Sequence, residues 1–217
     1  MFPILAYQIP VMKSTMLLSI AVVFVFASCK KDSDKNGDIN QGSFYGQVII
    51  NGDTIELKQA LVGYTNGVGS GGGVIDTAGN YLFRQFTEFG SANDTLRIYF
   101  IGVFATEPTT AQKQAIVRTG NYNTGYGTLN AIAPDANLKA GAAVVYIDSM
   151  GTFWTTDRDP ESQPNWTFNV SSHTANTNDG FSKYITKLTF TVRLHNPLTG
   201  DHIDATALEM TARTVIP

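Results

Sequence analysis

From residue 42 onward, apolar and polar residues alternate with a period of two, as in a β-strand with one buried face. β-branched and aromatic residues are frequent there, and Asn, Asp and Gly separate the segments. The clearest unit is a hairpin with strands at 44–50 and 54–57 and a turn at Asn51-Gly52. Asn-Gly favours a type I′ turn, because both of its central residues need a positive φ angle.

The same pattern predicts further strands at 60–64, 73–75, 81–86, 95–104, 142–148, 152–155, 165–171, 185–194 and 205–213. Residues 109–116 are a candidate for one or two helical turns capped by Thr109 or Thr110. Strands at this spacing, without long helices between them, are typical of all-β domains. We predict a single antiparallel β-sandwich domain over residues 42–217, with a small, lipocalin-like β-barrel as the alternative.

The amino-terminal region contains an apolar run, residues 17–25, that ends in Phe26-Ala27-Ser28-Cys29. The run is shorter than the roughly 20 residues that a membrane-spanning helix needs. Small residues directly before a cysteine are typical of a lipoprotein cleavage site. We therefore predict a signal peptide at 1–28 and attachment of diacylglyceryl and palmitate-type acyl chains to Cys29, the only cysteine. The alternative for a lone thiol is an inert core cysteine.

Translation from Met12 would place Lys13 in a conventional positive segment ahead of the apolar run. Beyond the cleavage site, residues 29–41 are rich in charge, and Ile39 is the one large aliphatic residue among them. Such a composition predicts a flexible, lipidated tether that reaches about 40 Å when fully extended. The formal net charge of the chain is −3, which argues against nucleic acid as a partner.

The last third of the chain has a recurring order of segments: a tyrosine strand at 144–148, a G-x-x-W turn at 151–154, a phenylalanine strand at 166–170 and a strand at 184–190 followed by Asn-Pro-Leu-Thr-Gly at 196–200. This order resembles that of small, uncharacterised all-β lipoproteins of the Bacteroidota. The chain departs from their pattern at Lys187-Leu188, where they carry Gly-Thr, and at Leu208-Glu209-Met210, where they carry a G-x-F segment.

The residues that follow the cleavage site, Cys29-Lys30-Lys31-Asp32, are similar to the lipobox and charged surface-export signal of the same phylum. The resemblance implies an all-β fold and a lipid-anchored position in the outer membrane, either at the cell surface or on the periplasmic side. It implies no particular activity.

A glycine-flanked loop at 120–127 is the best candidate for ligand binding, because it presents Tyr122 and Tyr126 among Asn and Gly residues. Aromatic faces stack on sugar rings, so we expect a glycan, or another envelope component, as the partner. Glycines would let the backbone project both tyrosines outward. Trp154 and Trp166 alternate with apolar residues and are predicted to fill the core.

Other candidate sites are weaker. Asp157, Asp159 and Glu161 alternate along a loop and could hold Ca²⁺, but a solvated turn is the favoured interpretation. Calcium is the one cofactor that the sequence suggests. Thr77 lies in an Asp-Thr-Ala triplet similar to the O-glycosylation acceptor of the same bacteria.

Residues 67–72 fit G-x-G-x-x-G, but no helix pattern follows, so we expect a flexible strand connection and not a dinucleotide site. His173, His195 and His202 lack metal-ligand spacing.

The sequence leads to two hypotheses for the function. The first is a non-catalytic binding or accessory module in the envelope. The alternative is a small surface hydrolase, which would bring one of these histidines together with Asp157 or Asp159 in a cleft.

Overall fold

The computed structural model describes residues 45–59, 68–74, 80–126, 138–157, 163–176 and 183–215. All of them belong to one compact unit within residues 37–217. The predicted signal peptide, the tether with Cys29 and the predicted strand at 60–64 lie outside the described residues.

The described residues form strands and one short helix. The strands are β1 Tyr45–Ile50, β2 Asp53–Gln59, β3 Val68–Val74, β4 Tyr81–Gly90, β5 Thr95–Phe104, β6 Gly120–Asn121, β7 Gly141–Ile147, β8 Phe153–Thr155, β9 Thr167–Asn176, β10 Lys183–His195 and β11 His202–Val215. The helix, α1, spans Thr110–Gln114. Thr109 caps it through a reciprocal pair of hydrogen bonds with Gln112, which confirms the predicted helical turn.

The chain is nearly all β, as predicted, but it is a closed eight-stranded antiparallel barrel and not a sandwich. Around the barrel the strand order is β11-β1-β2-β4-β5-β7-β8-β10, and β10 pairs with β11 to close it. Alternation of apolar and polar residues fits both architectures, because each has one inward-facing side per strand. Closure depends on pairing between β1 and β11, which are far apart in sequence, and local pattern does not specify that pairing.

Antiparallel pairing places four tight turns at the same end of the barrel, which we call the turn end: 51–52, 91–94, 148–151 and 196–201. Asn51 and Gly52 have φ angles of 50° and 94°, which confirms the predicted Asn-Gly hairpin. At the opposite end, α1 follows β5, and the Gln85 side chain donates to the Lys113 carbonyl at 3.4 Å. We call this the helix end.

The wall between β7 and β10 is built differently at the two ends. At the turn end β8 fills it, pairing with β7 and, through Thr155, with His195 of β10. At the helix end it is filled by β9 and by residues 120–126, which we call the seam segment. The Tyr122 amide donates to the Phe168 carbonyl at 2.9 Å, and the Ala142 amide donates to the Asn123 carbonyl at 2.9 Å. The seam segment therefore joins β9 to β7.

Two apolar clusters stabilise the fold. The larger fills the barrel and includes Phe89, Phe100, Phe168 and Phe190, all at most 2% exposed. The smaller lies on the outer face of β4, β5 and β7. It consists of Leu82, Tyr99, Ile101, Ala143 and Val145. Burial on both faces explains why β7 is a continuous apolar run instead of an alternating one.

One connection predicted from the sequence is wrong. The glycine-rich residues 67–72 were expected to form a flexible connection, but Val68–Val74 is a strand that pairs along its whole length with β4. Pairing with β4 continues as far as Val74. Backbone hydrogen bonds to β4 therefore hold this segment as a strand, although its residues have low strand propensity.

Among the described residues, no helix is long and apolar enough to cross a membrane.

Candidate functional site

Tyr122 is a core residue, which corrects the prediction that its ring projects outward. It is 7% exposed and belongs to the cluster inside the barrel. Its ring lies edge-on to Phe100 and Phe168, with centroid distances of 5.3 and 5.8 Å. The Trp166 indole donates to the Tyr122 carbonyl at 2.8 Å. The ring packs inside the barrel, so it is not available for stacking on a sugar.

The Tyr122 hydroxyl fixes the chain after α1. It accepts a hydrogen bond from the Arg118 amide, and its own hydrogen points to the Ile116 and Arg118 carbonyls, at 3.0 and 2.9 Å. Burial raises the pKa of this hydroxyl above its usual value, although the Arg118 backbone bond and charge oppose the change. The hydroxyl therefore stays neutral and holds the backbone of Arg118 in place.

The glycines around this segment allow neighbouring backbone segments to approach closely. They do not project the tyrosines outward. A Cβ on Gly125 would lie 2.9 Å from the Gly141 carbonyl carbon, and one on Gly141 would lie 2.3 Å from the Asn123 carbonyl oxygen. Tyr126 is half-buried and exchanges two backbone hydrogen bonds with Lys139, at 3.0 and 3.2 Å. The predicted binding loop is thus part of the barrel wall.

A cleft of about 290 Å³ opens at the helix end, between the end of β5, α1 and the seam segment. Tyr122 and Phe104 are among its lining residues. Its polar lining comes from Gln112, Arg118, Asn121 and Asn123. We call this the helix-end cleft. The loop predicted at 120–127 contains the two asparagines, whereas Gln112 and Arg118 lie before it in the chain and match no binding motif.

Three of these polar side chains are oriented by the protein. The Gln112 Oε1 atom accepts from the Thr109 amide at 2.9 Å and from its hydroxyl at 3.1 Å. The Asn121 Oδ1 atom accepts from the Asn169 side chain at 2.7 Å. The Arg118 guanidinium lies 5.5 Å from the centre of the Tyr122 ring, within reach of a cation–π interaction. The cleft is therefore pre-organised by contacts with the wall and the helix cap.

A second cleft, of about 810 Å³, lies at the turn end between the turns at 148–151 and 196–201. Asp157 lines it, together with Met150 and Leu198, which are 86% and 93% exposed. This cleft is large because it is the gap between the tips of two turns. Asn196 Oδ1 accepts from the Leu198 and Thr199 amides, so its oxygen shapes the turn. We therefore favour the smaller helix-end cleft, because three of its polar side chains are held by contacts within the protein.

The histidines are distributed between the two ends, and none lines either cleft among the described residues. His173 Nδ1 lies 2.8 Å from the Thr186 hydroxyl, and its ring stacks on Tyr184 at 4.4 Å. Burial lowers the pKa of His173, which favours the neutral ring. His195 and His202 are neighbours across the β10–β11 hairpin, with ring centroids 6.2 Å apart. The described structure thus does not bring a histidine into a cleft with Asp157.

Both tryptophans pack against the core cluster, as predicted. The Trp154 indole donates to Asp148 Oδ2 at 3.1 Å, and Asp148 Oδ1 accepts from the Met150 and Thr152 amides at 3.0 and 2.8 Å. Burial alone would raise the pKa of Asp148, but these hydrogen bonds lower it below the usual value. Asp148 is therefore a structural anchor of the β7–β8 turn.

Cys29, Thr77, Asp159 and Glu161 lie outside the described residues, so the predicted lipidation, glycosylation and calcium sites stay predictions. Among the described residues, no group of three His, Cys, Asp or Glu side chains could hold a metal ion. Comparison of the chain with known protein families, curated proteins and solved structures found no match.

Proposed function

We propose that this protein is a lipid-anchored envelope protein that binds a polar ligand, such as a sugar unit of a glycan, without catalysing a reaction on it. The helix-end cleft is the binding site. The observation that carries the proposal is the orientation of Gln112, Arg118 and Asn121 by contacts within the protein. Polar groups held in place lose little conformational entropy when a ligand arrives, which favours binding.

The first described strand begins at the end of the barrel that holds the cleft. Tyr45, the first described residue of β1, lies at the helix end, because β1 runs from there to the turn at 51–52. The chain therefore enters the barrel at the same end as the cleft. A tether of about 40 Å between Cys29 and the barrel would let that end tilt away from the membrane and admit a ligand.

Filling the cleft should abolish binding without unfolding the barrel. Asn123 is exposed and lines the cleft, so Asn123→Trp would place an indole in a space of about 290 Å³. We expect retention on an array of neutral and acidic glycans to be lost. The control is Asn93→Trp, which adds the same ring to an exposed position at the turn end. Unchanged retention by Asn123→Trp would show that the ligand binds elsewhere.

Lipidation is tested separately, with Cys29→Ser. We expect this variant to leave the membrane fraction, because serine has no thiol to acylate. Ser28→Ala is the control, since it keeps a small residue before the cleavage site and should stay membrane-bound. Mass spectrometry of the wild-type protein should detect an acylated amino-terminal cysteine. An unmodified peptide that runs through residues 26–32 would disprove the anchor.

A further inference from the structure

We infer that the helix-end cleft is selective for a ligand that carries an oxyanion, a carboxylate or sulfate group on a sugar. The inference rests on the proposed binding function and specifies its ligand class. It follows from which atoms of the polar lining are already used within the protein.

The two amide side chains whose oxygens are engaged within the protein offer a ligand mainly their N–H donors. Gln112 Oε1 already accepts two hydrogen bonds from Thr109, and Asn121 Oδ1 already accepts one from Asn169. Asn121 Oδ1 retains one lone pair, because an amide oxygen has two, whereas Gln112 Nε2 and Asn121 Nδ2 can only donate. A ligand group that meets both must therefore accept hydrogen bonds.

Arg118 adds charge to the same donor set. It is the one charged residue among the described residues that line the cleft. A guanidinium has five donors and no acceptor, and its planar fork matches a carboxylate, sulfate or phosphate group. The cleft is thus locally cationic although the chain as a whole carries a formal charge of −3. A neutral sugar would use these donors without the charge-assisted part of the interaction.

The size of the cleft limits the ligand. Its volume of about 290 Å³ is at the lower end of the usual range for small-molecule sites. One sugar ring with its acidic substituent fills such a space, and the rest of a longer chain would extend into solvent. Since the site has few enclosing walls, we expect dissociation constants on the order of millimolar for a single acidic sugar.

The inference is tested with two sugars that differ at one carbon. Galacturonate and galactose should be titrated separately into the full chain in detergent micelles, with binding followed by ligand-observed NMR. We expect galacturonate to bind on the order of tenfold more tightly than galactose, because one charge-assisted contact is gained. Raising the salt from 0.15 to 1 M should weaken galacturonate binding, since the Debye length falls to about 3 Å. Galactose 6-sulfate and free acetate complete the panel.

Arg118→Gln should remove the preference for galacturonate, so that galacturonate and galactose bind equally weakly. Lys187→Gln is the charge-matched control, because Lys187 lies on β10 and pairs with Glu209 at 3.6 Å, away from the cleft. Equal binding of galactose and galacturonate by the wild type would overturn the oxyanion inference and leave the proposed function standing. Tight binding of acetate alone would overturn the sugar class. Binding of none of the probes, together with no retention on the glycan array, would overturn both proposals.

Discussion

Replacing Tyr122 with Ala is expected to destabilise the barrel by about 3–5 kcal/mol, the usual cost of removing a buried aromatic ring. The ring contacts Phe100 and Phe168 inside the barrel, so its loss would leave a cavity between them. The variant would also lose the hydroxyl that accepts from the Arg118 amide, leaving a partly buried donor without its partner. For a domain of this size, each kcal/mol lowers the melting temperature by about 2–4 °C.

Two variants separate the ring from the hydroxyl and the core from the surface. Tyr122→Phe keeps the ring and should cost about 1–3 kcal/mol, the penalty for unpaired backbone groups. Tyr45→Ala removes a tyrosine that is 56% exposed and should change the free energy of unfolding by about 0.5 kcal/mol or less. Equilibrium denaturation measures all three. A Tyr122→Ala protein as stable as Tyr45→Ala would contradict the structure and restore the view of Tyr122 as an exposed binding residue.

The case of Tyr122 shows what the sequence could and could not provide. Its neighbours Gly120, Asn121, Asn123 and Gly125 are turn-forming residues, and this composition predicts a loop. Nothing local indicates that this loop fills a gap between β7 and β9, because the partners Phe168 and Ala142 come from distant parts of the chain. Burial of the ring is therefore a tertiary property.

Strand positions could be predicted, because they depend on local sequence. The hairpin around Asn51-Gly52 and the strand at 95–104 depend on local alternation and turn chemistry, and both were found at the predicted positions. Barrel closure depends on β11 pairing with both β1 and β10, which the same alternation permits but does not require. The sandwich prediction failed at this step.

The polar lining of the cleft was only partly predictable. The predicted cap by Thr109 is confirmed, and its partner in the capping box is Gln112, which the sequence pattern did not single out. Gln112 has a second role, because it lines the cleft with Arg118 and Asn121 while its Oε1 atom is engaged in the cap. Sequence spacing alone could not place a helix cap next to the seam segment, because Tyr122 holds the intervening chain through its buried hydroxyl.

Gly141→Ala is expected to disrupt both the barrel wall and the cleft. A Cβ at this position would lie 2.3 Å from the Asn123 carbonyl oxygen and 2.8 Å from the Gly125 amide nitrogen. Both are backbone atoms, so no side-chain rotation can relieve the contact. The Ala142 amide donates to that same Asn123 oxygen at 2.9 Å. Moving the two backbone segments apart to relieve the contact would therefore break the bond that attaches the seam segment to β7. We expect a cost of about 3 kcal/mol or more, at the upper end for overpacking.

The matched control for this change is Gly90→Ala, where the nearest atom to the added Cβ is the Asp94 carbonyl oxygen at an ordinary 3.7 Å. That variant should melt within about 3 °C of the wild type, a shift that corresponds to roughly 1 kcal/mol. Gly141→Ala should melt about 6–12 °C lower and lose glycan retention at temperatures where it is still folded. Retention would be lost because Asn121 and Asn123 move with the seam segment. If Gly141→Ala matched Gly90→Ala in both stability and binding, the seam segment would not be the wall of the cleft.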